Sequence, residues 1–177
     1  YVSALLLIAP LAEAGVNIRL TTPLESKPYV LMTIECLQKF GIKVTHSSDL
    51  CQFAILPQTY VPMRYNVEGD WSSASYLLAL GALAGEVEVQ NLNPRSKQGD
   101  RILLNWLKDM GARVETTKNS VIVRKSRLVA IRADLADCID LLPTMAVLAA
   151  TASGTSEFTG IARARIKESN RVAAIKE

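Results

Sequence analysis

Hydrophobic positions along this chain change period in a repeating order. Tyr1 to Ala14 is apolar almost throughout and predicts a helix; Gly15 ends it, and Val16-Asn17-Ile18-Arg19-Leu20 alternates with the period of two of a half-buried strand. After a loop at Thr21-Thr22-Pro23 and an entrance at Ser26-Lys27-Pro28, Val30, Ile34 and Leu37 fall on one stripe of a helix predicted from Tyr29 to Phe40, with Gly41 as its stop. Ile42-Lys43-Val44 and Phe53-Ala54-Ile55-Leu56 then read as strands. The same order returns beyond Tyr65: a helix from Ser72 to Ala84, Gly85, the strand Val87-Glu88-Val89, a helix from Asp100 to Met110, Gly111, and strands at Arg113-Val114-Glu115 and Val121-Ile122-Val123. A third copy opens with a helix from Leu142 to Ala152, Gly154 and the strand Ser156-Glu157-Phe158-Thr159.

Gly15, Gly85 and Gly154, the pair Gly41 and Gly111, and the series Lys27, Lys97 and Lys167 all recur at a step of about 70 residues, the mark of repeated supersecondary units. Each lysine stands at the predicted entrance to the second helix of its unit. Each complete unit has one helix rich in Ala and Leu and one amphipathic helix. The first kind belongs inside and the second at the surface, so the fold class is α/β with helices inside and sheets outside rather than a doubly wound sheet. Periodicity breaks from Pro57 to Asn66, through Tyr60, Pro62 and Tyr65, and a domain boundary is placed there, between 1–66 and 67–177.

Both ends carry helical patterns without start or stop signals. The apolar run at Tyr1 has no N-cap ahead of it, and Asn170 to Glu177 has no Gly or Asn stop, so the chain reads as a piece of a longer protein. The apolar start lacks a basic flank and is too short to span a bilayer.

With 49% hydrophobic and 21% charged residues, 177 residues can bury a sizeable core in one or two domains. A formal charge of +3 without runs of like charge does not call for nucleic acid but leaves small anions plausible. Three cysteines (Cys36, Cys51, Cys138) without a CxxC pair, and a lone His46, indicate neither a disulfide framework nor a metal site; a reducing cytoplasm fits best. No Gly-rich phosphate loop is present.

The chemistry gathers in Arg165-Ile166-Lys167-Glu168-Ser169-Asn170-Arg171. If the chain is helical from Glu168, Lys167 and Arg171 face the same way four residues apart, an arrangement an anion would relieve; a solvated helix start with an internal Glu168–Arg171 pair is the plainer alternative. Asp140, ahead of an almost wholly apolar helix, is either an N-cap or a carboxylate whose partial burial raises its pKa and makes it a base. Asp70 or Ser72 caps the equivalent helix of the second unit. Ser26 and Tyr29 offer hydrogen bonds to a phosphate or hydroxyl group, though Ser26-Lys27-Pro28-Tyr29 equally makes an ordinary helix start. Trp71 and Trp106 read as packing residues.

Four segments together, Leu24-Glu25-Ser26-Lys27-Pro28-Tyr29, Val67-Glu68-Gly69-Asp70-Trp71-Ser72-Ser73-Ala74-Ser75-Tyr76, Asp140 with Pro143-Thr144-Met145-Ala146-Val147-Leu148-Ala149-Ala150, and Lys167-Glu168-Ser169-Asn170-Arg171, resemble the EPSP synthase (3-phosphoshikimate 1-carboxyvinyltransferase) family over essentially the whole chain. The resemblance implies an inside-out α/β barrel of repeated units. It also implies transfer of the enolpyruvyl group of phosphoenolpyruvate to the 5-hydroxyl of shikimate 3-phosphate, in the shikimate pathway, without metal or organic cofactor and usually as a monomer. On that resemblance Ser26, Tyr29 and Lys167 hold shikimate 3-phosphate, Asp140 binds its hydroxyls and takes a proton, Glu168 serves proton transfer at phosphoenolpyruvate, and Arg171 binds that substrate. Asn170 stands where the family often has Asp, and Arg163 where some members have a substrate-binding Asn, so no role is carried to Arg163. The family's Ser-Ser-Gln segment and several phosphoenolpyruvate-gripping elements lie outside these residues. Residues 1–66 then correspond to the end of a first domain, 67–177 to the start of a second, and the piece alone is expected not to turn over. Two alternatives stand beside this reading: a UDP-N-acetylglucosamine enolpyruvyl transferase, and a non-catalytic anion-binding repeat module.

Overall fold

A computed structural model describes residues 1–177. Two compact units divide the chain, Tyr1–Asn66 and Val67–Glu177.

In the first unit, helix α1 (Val2–Ile8) runs into a single 3-10 turn at Ala9–Leu11, followed by strand β1 (Val16–Arg19), helix α2 (Lys27–Lys39), and strands β2 (Thr45–His46) and β3 (Gln52–Ile55). The helix expected to reach Ala14 is shorter because Pro10 supplies no N–H and constrains the residue before it. The antiparallel sheet has the order β1-β3-β2, with Val16 opposite Ile55 and Ile18 opposite Phe53. Val30, Ile34 and Leu37 form the buried stripe of α2 and meet Leu6, Ile42, Phe53 and Ile55 in one core.

The expected strand Ile42-Lys43-Val44 does not form. The Ile42 amide turns back to the Leu37 carbonyl to close α2, and the Lys43 backbone is occupied on both sides by the Gln58 side-chain amide, so strand pairing starts only at Thr45. Gly41, at φ +83°, makes that reversal possible; a Cβ there would also sit 2.8 Å from Val61.

The second unit is built around helix α3 (Trp71–Ala84), whose residues Trp71, Ala74, Ser75, Leu78, Ala79, Gly81 and Ala82 are buried. One side of α3 lies on the sheet of β4 (Glu86–Gln90), β5 (Arg113–Thr116) and β6 (Ser120–Arg124), in the order β4-β6-β5. Between β4 and β5 a 3-10 turn at Gly99–Ile102 leads into helix α4 (Leu103–Asp109), which contributes Leu103 and Leu107 to the core. The helix predicted from Asp100 thus begins with a tighter first turn. Arg124 bridges Glu86 and Glu115 across the outward face of the sheet.

Another side of α3 packs on helix α5 (Leu142–Thr151), through Leu78 and Ala82 on one side and Met145 and Leu148 on the other in the same core. Burying a leucine such as Leu78 completely stabilises by about 1.5–3 kcal/mol. Strands β7 (Arg132–Asp134) and β8 (Glu157–Thr159) pair in parallel, flanking α5 in sequence; β7 was not anticipated, since of its three residues Ala133 alone is apolar and buried. The chain closes with helix α6 (Arg171–Lys176). No helix is long and apolar enough to cross a membrane.

Gly81 lies where α3 presses on β6, and a Cβ there would come within 2.7 Å of the Val123 carbonyl oxygen. Helix propensity alone favours Ala over Gly by about 1 kcal/mol. Backbone cannot yield as a side-chain tip can, so Gly81→Ala is expected to lose roughly 1–3 kcal/mol by overpacking and to lower the urea midpoint instead of raising it.

Candidate functional site

The polar residues of the second unit collect where α3 and α5 begin. Asp70 is the N-cap of α3: its carboxylate accepts from the amides of Ser72 and Ser73 at 3.1 and 3.0 Å. Burial pushes its carboxyl up, but the Ser73 hydroxyl and these amides outweigh that and hold it below its ordinary value. Ahead of it, the Gln98 amide spans three groups, donating to Glu68 and the Gly69 carbonyl at 3.0 Å each and accepting from the Trp71 amide at 2.9 Å. The Ser72 hydroxyl donates to the buried Asp100. Within the helix pair, the fully buried hydroxyls of Ser75 and Thr144 share a 2.8 Å hydrogen bond and tie α3 to α5 one turn or so inside their starts.

Asp140 lies in a 3-10 turn, Ile139–Leu141, just before α5, and caps nothing. Its position relative to α5 matches that of Asp70 relative to α3, but the residue three further on is Pro143 instead of Ser73, and proline has no N–H to donate. Its carboxylate turns to cations: Oδ1 accepts from Arg171 Nη1 at 2.7 Å and lies 3.3 Å from Lys167 Nζ. Arg171 also donates through Nε and Nη2 to the two oxygens of Glu168, at 2.8 and 3.0 Å.

The helix expected from Glu168 starts only at Arg171, because the Asn170 side chain takes the Ala173 amide and sets the cap there. Lys167 and Arg171 therefore do not stand four apart on one helical face; Lys167 from a non-helical turn and Arg171 from the first position of α6 both reach the same oxygen of Asp140. The cluster is balanced, two cations against two carboxylates, and it contains the internal Glu168–Arg171 pair that is the plainer of the two sequence readings.

The expected rise in the pKa of Asp140 is reversed. Burial is the largest single influence and does push the carboxyl up, but hydrogen bonds and charge from Arg171 and Lys167 together exceed it and hold Asp140 below the usual carboxylate range. Glu168 is held low chiefly by Arg171, and Arg171 is raised chiefly by Glu168. Cys138, beside this turn, is pushed up to about 12 by burial first and then by Asp100 and its other acidic neighbours, so it stays a thiol.

Of the six residues singled out from sequence, the structure brings together Asp140, Lys167, Glu168 and Arg171, while Ser26 and Tyr29 belong to the first unit. Ser26 occupies the N-cap position of α2 in the left-handed region, φ +54°, and its carbonyl accepts from the Tyr29 amide. Sequence reasoning missed Gln98, for which no pattern speaks, and the Ser75–Thr144 pair, which two polar residues on otherwise apolar helix faces could have announced. No group of three or more His, Cys, Asp and Glu side chains gathers in a metal-holding arrangement.

The family model described as EPSP synthase (3-phosphoshikimate 1-carboxyvinyltransferase) matches residues 1–177. The chain belongs to the EPSP synthase family. The 3-phosphoshikimate 1-carboxyvinyltransferase of Dehalococcoides mccartyi strain 195 is 51% identical over 177 residues, which are the whole of this chain and 42% of the relative. The enzyme of that name from Methanocorpusculum labreanum is 44% identical over 97% of this chain and 40% of its own length. Among solved structures, EPSP synthase from Acinetobacter baumannii superposes with a TM-score of 0.73 at 21% identity, over 97% of this chain and 40% of that one. The enolpyruvyl transferase NikO from Streptomyces tendae gives 0.65 at 16% identity, over 89% of this chain and 38% of its own. Both likenesses place the chain in the inside-out α/β fold of the enolpyruvyl transferases. The chain thus spans about two fifths of the EPSP synthases it matches.

The Asp140 ion pairs set a pH dependence. A carboxyl held below its unfolded value stabilises fully above the unfolded value, and that contribution is lost as pH falls through the folded one. Asp140→Asn is therefore expected to cost about 0.5–1 kcal/mol at neutral pH, the range of partly exposed pairs, and the gap between variant and parent should close as the solution is acidified below the carboxylate range. Urea unfolding at a series of pH values checks this; a gap that persists in acid would remove the ion pairs as its cause.

Proposed function

We propose that the protein containing this chain transfers the enolpyruvyl group of phosphoenolpyruvate to the 5-hydroxyl of shikimate 3-phosphate, releasing phosphate. The observation that carries this reading is the pair of cations, Lys167 and Arg171, set against the two carboxylates Asp140 and Glu168 at the ends of α3 and α5, in a chain that belongs throughout to the EPSP synthase family. Such a constellation suits the reaction. Two phosphorylated anions need cationic partners, and moving a hydroxyl oxygen onto the enol carbon needs one group to take the hydroxyl proton and another to serve the proton at the methylene carbon.

In this reading Asp140 binds the shikimate hydroxyls and takes the proton, Glu168 handles the proton at phosphoenolpyruvate, Arg171 binds phosphoenolpyruvate, and Lys167, Ser26 and Tyr29 bind shikimate 3-phosphate. Residues 1–66 are read as the last part of a first enolpyruvyl transferase domain and 67–177 as the first part of a second. Tyr76, Leu77 and Leu80 on α3 and Val147 on α5 are exposed apolar residues, and we read them as surface covered by the rest of the protein's own chain. Three free cysteines fit a cytoplasmic enzyme, no nucleic acid or membrane is needed as a partner, and no cofactor enters this scheme.

Three measurements test the reading. In the full-length protein, Asp140→Asn should lower turnover roughly 10²- to 10⁴-fold with the fold intact, as removal of a general base does, whereas a repeat scaffold would be indifferent. Calorimetry should detect shikimate 3-phosphate and not UDP-N-acetylglucosamine as the acceptor; the reverse result would move the protein to the other transferase. Residues 1–177 alone should show no enolpyruvyl transfer, and measurable transfer by them would refute the division of the site.

A further inference from the structure

Arg171 divides its donors between two carboxylates that are not held alike. Asp140 takes Nη1, is held in addition by Lys167, and has a side chain 31% exposed. Glu168 takes the edge formed by Nε and Nη2 with both its oxygens, yet its side chain is 64% exposed. That edge is a planar two-point donor, the part of a guanidinium that matches two oxygens of a carboxylate or phosphate. Glu168 is held by one cation and is largely exposed, whereas Asp140 is held by two cations and is half-buried, so Glu168 is the occupant that leaves first.

We propose that Glu168 is an internal place-holder on Arg171: a small oxyanion, such as the carboxylate or phosphate group of a substrate, takes the Nε–Nη2 edge by displacing Glu168, while Asp140 keeps Nη1 and Lys167. The exchange rests on the function proposed above for the identity of the anion, and on the geometry of the cluster for the exchange itself. Its chemical consequence concerns Glu168. Arg171 is the main cause of that carboxyl's depressed pKa, and once a bound anion has replaced it there the carboxyl regains proton affinity. Of the other charged groups at this place, Lys167 on the same turn also lowers the carboxyl, but as a lesser cause than Arg171 and while paired with Asp140, so it reduces the rise without reversing it; Asp140 from the turn before α5 and Asp70 from the start of α3 are acids and do not oppose protonation. Arrival of the anion thereby prepares the neighbouring carboxyl to carry a proton, linking occupancy to proton transfer.

Sulfate is the probe, since it stays doubly charged throughout the carboxylate range. In the full-length protein at low ionic strength, Glu168→Gln should bind sulfate roughly two- to five-fold more tightly than the parent by calorimetry, the gain from no longer displacing an exposed ion pair. The gain should vanish when Arg171→Met is added. In the unaltered protein, sulfate should raise the titration midpoint of the Glu168 carboxyl followed by carbon-detected NMR. Equal or weaker binding by Glu168→Gln, a gain that survives Arg171→Met, or a Glu168 midpoint that sulfate leaves in place would each overturn the exchange. Turnover of shikimate 3-phosphate with phosphoenolpyruvate by the unaltered protein reports on the enzyme reading separately: turnover without tightening rejects the exchange alone, and tightening without turnover rejects the enzyme alone.

Discussion

The second unit depends on covering a helix that is apolar nearly all round. Buried residues of α3 occur at Trp71, Ala74, Ser75, Leu78, Ala79, Gly81 and Ala82, a spread too wide for one contact. The sheet β4-β6-β5 takes one side, close enough that Gly81 can carry no side chain, and α5 takes another. The remaining face carries the exposed but apolar Tyr76, Leu77 and Leu80, so the sides of α3 hold few polar groups. They are driven to its ends, and the starts of α3 and α5 become the place where Asp70, Ser72, Ser73 and Asp140 can stay hydrated or paired. The position of the charged cluster is in that sense a result of core packing. Ser75 and Thr144 are the exception inside, tolerated because each hydroxyl satisfies the other.

Within the cluster the deciding contest is between desolvation and ion pairing. A half-buried carboxyl beside an apolar helix would, with nothing else nearby, become a weaker acid and a better base. Two cations within 3.3 Å reverse that for Asp140. A protein that uses this carboxylate as a base must therefore weaken its ion pairs when substrate is present, and the sharing of Arg171 between Asp140 and Glu168 supplies groups whose partners can change without rebuilding the fold.

How much of this was legible follows from what periodicity encodes. The stripe Val30, Ile34, Leu37 and the reversals at Gly41 and Gly111 could be read directly, because burial and positive φ leave marks on residue type. The failure at Ile42-Lys43-Val44 has a different origin: its alternation is sound, but its backbone groups are consumed by the end of α2 and by Gln58, fifteen residues away in sequence from Lys43. Competition of that kind between side chain and backbone has no period. The start of α6 was misplaced for the same reason, since Asn170 and not the preceding charged residues supplies the cap. The four candidates that cluster were picked out through the charge-rich segment and the apolar helix after Asp140, whereas Gln98, an ordinary polar residue in a loop, becomes meaningful only when its three partners converge.

The repeat itself explains why one of two matching carboxylates is left to pair with cations. Asp70 and Asp140 occupy matching places ahead of α3 and α5, at the same step of about 70 residues that relates Lys97 to Lys167. In the second copy Ser72 and Ser73 offer two amides and a hydroxyl, and Asp70 spends its lone pairs on capping. In the third, Pro143 offers no amide, the entrance tightens into a 3-10 turn, and α5 begins without a side-chain cap. The carboxylate that is not needed for the helix is left to the cations of the segment that follows. The proline three residues after Asp140, where serine follows Asp70, thus removes one amide that a capping carboxylate would accept from, and Asp140 pairs with Lys167 and Arg171 instead.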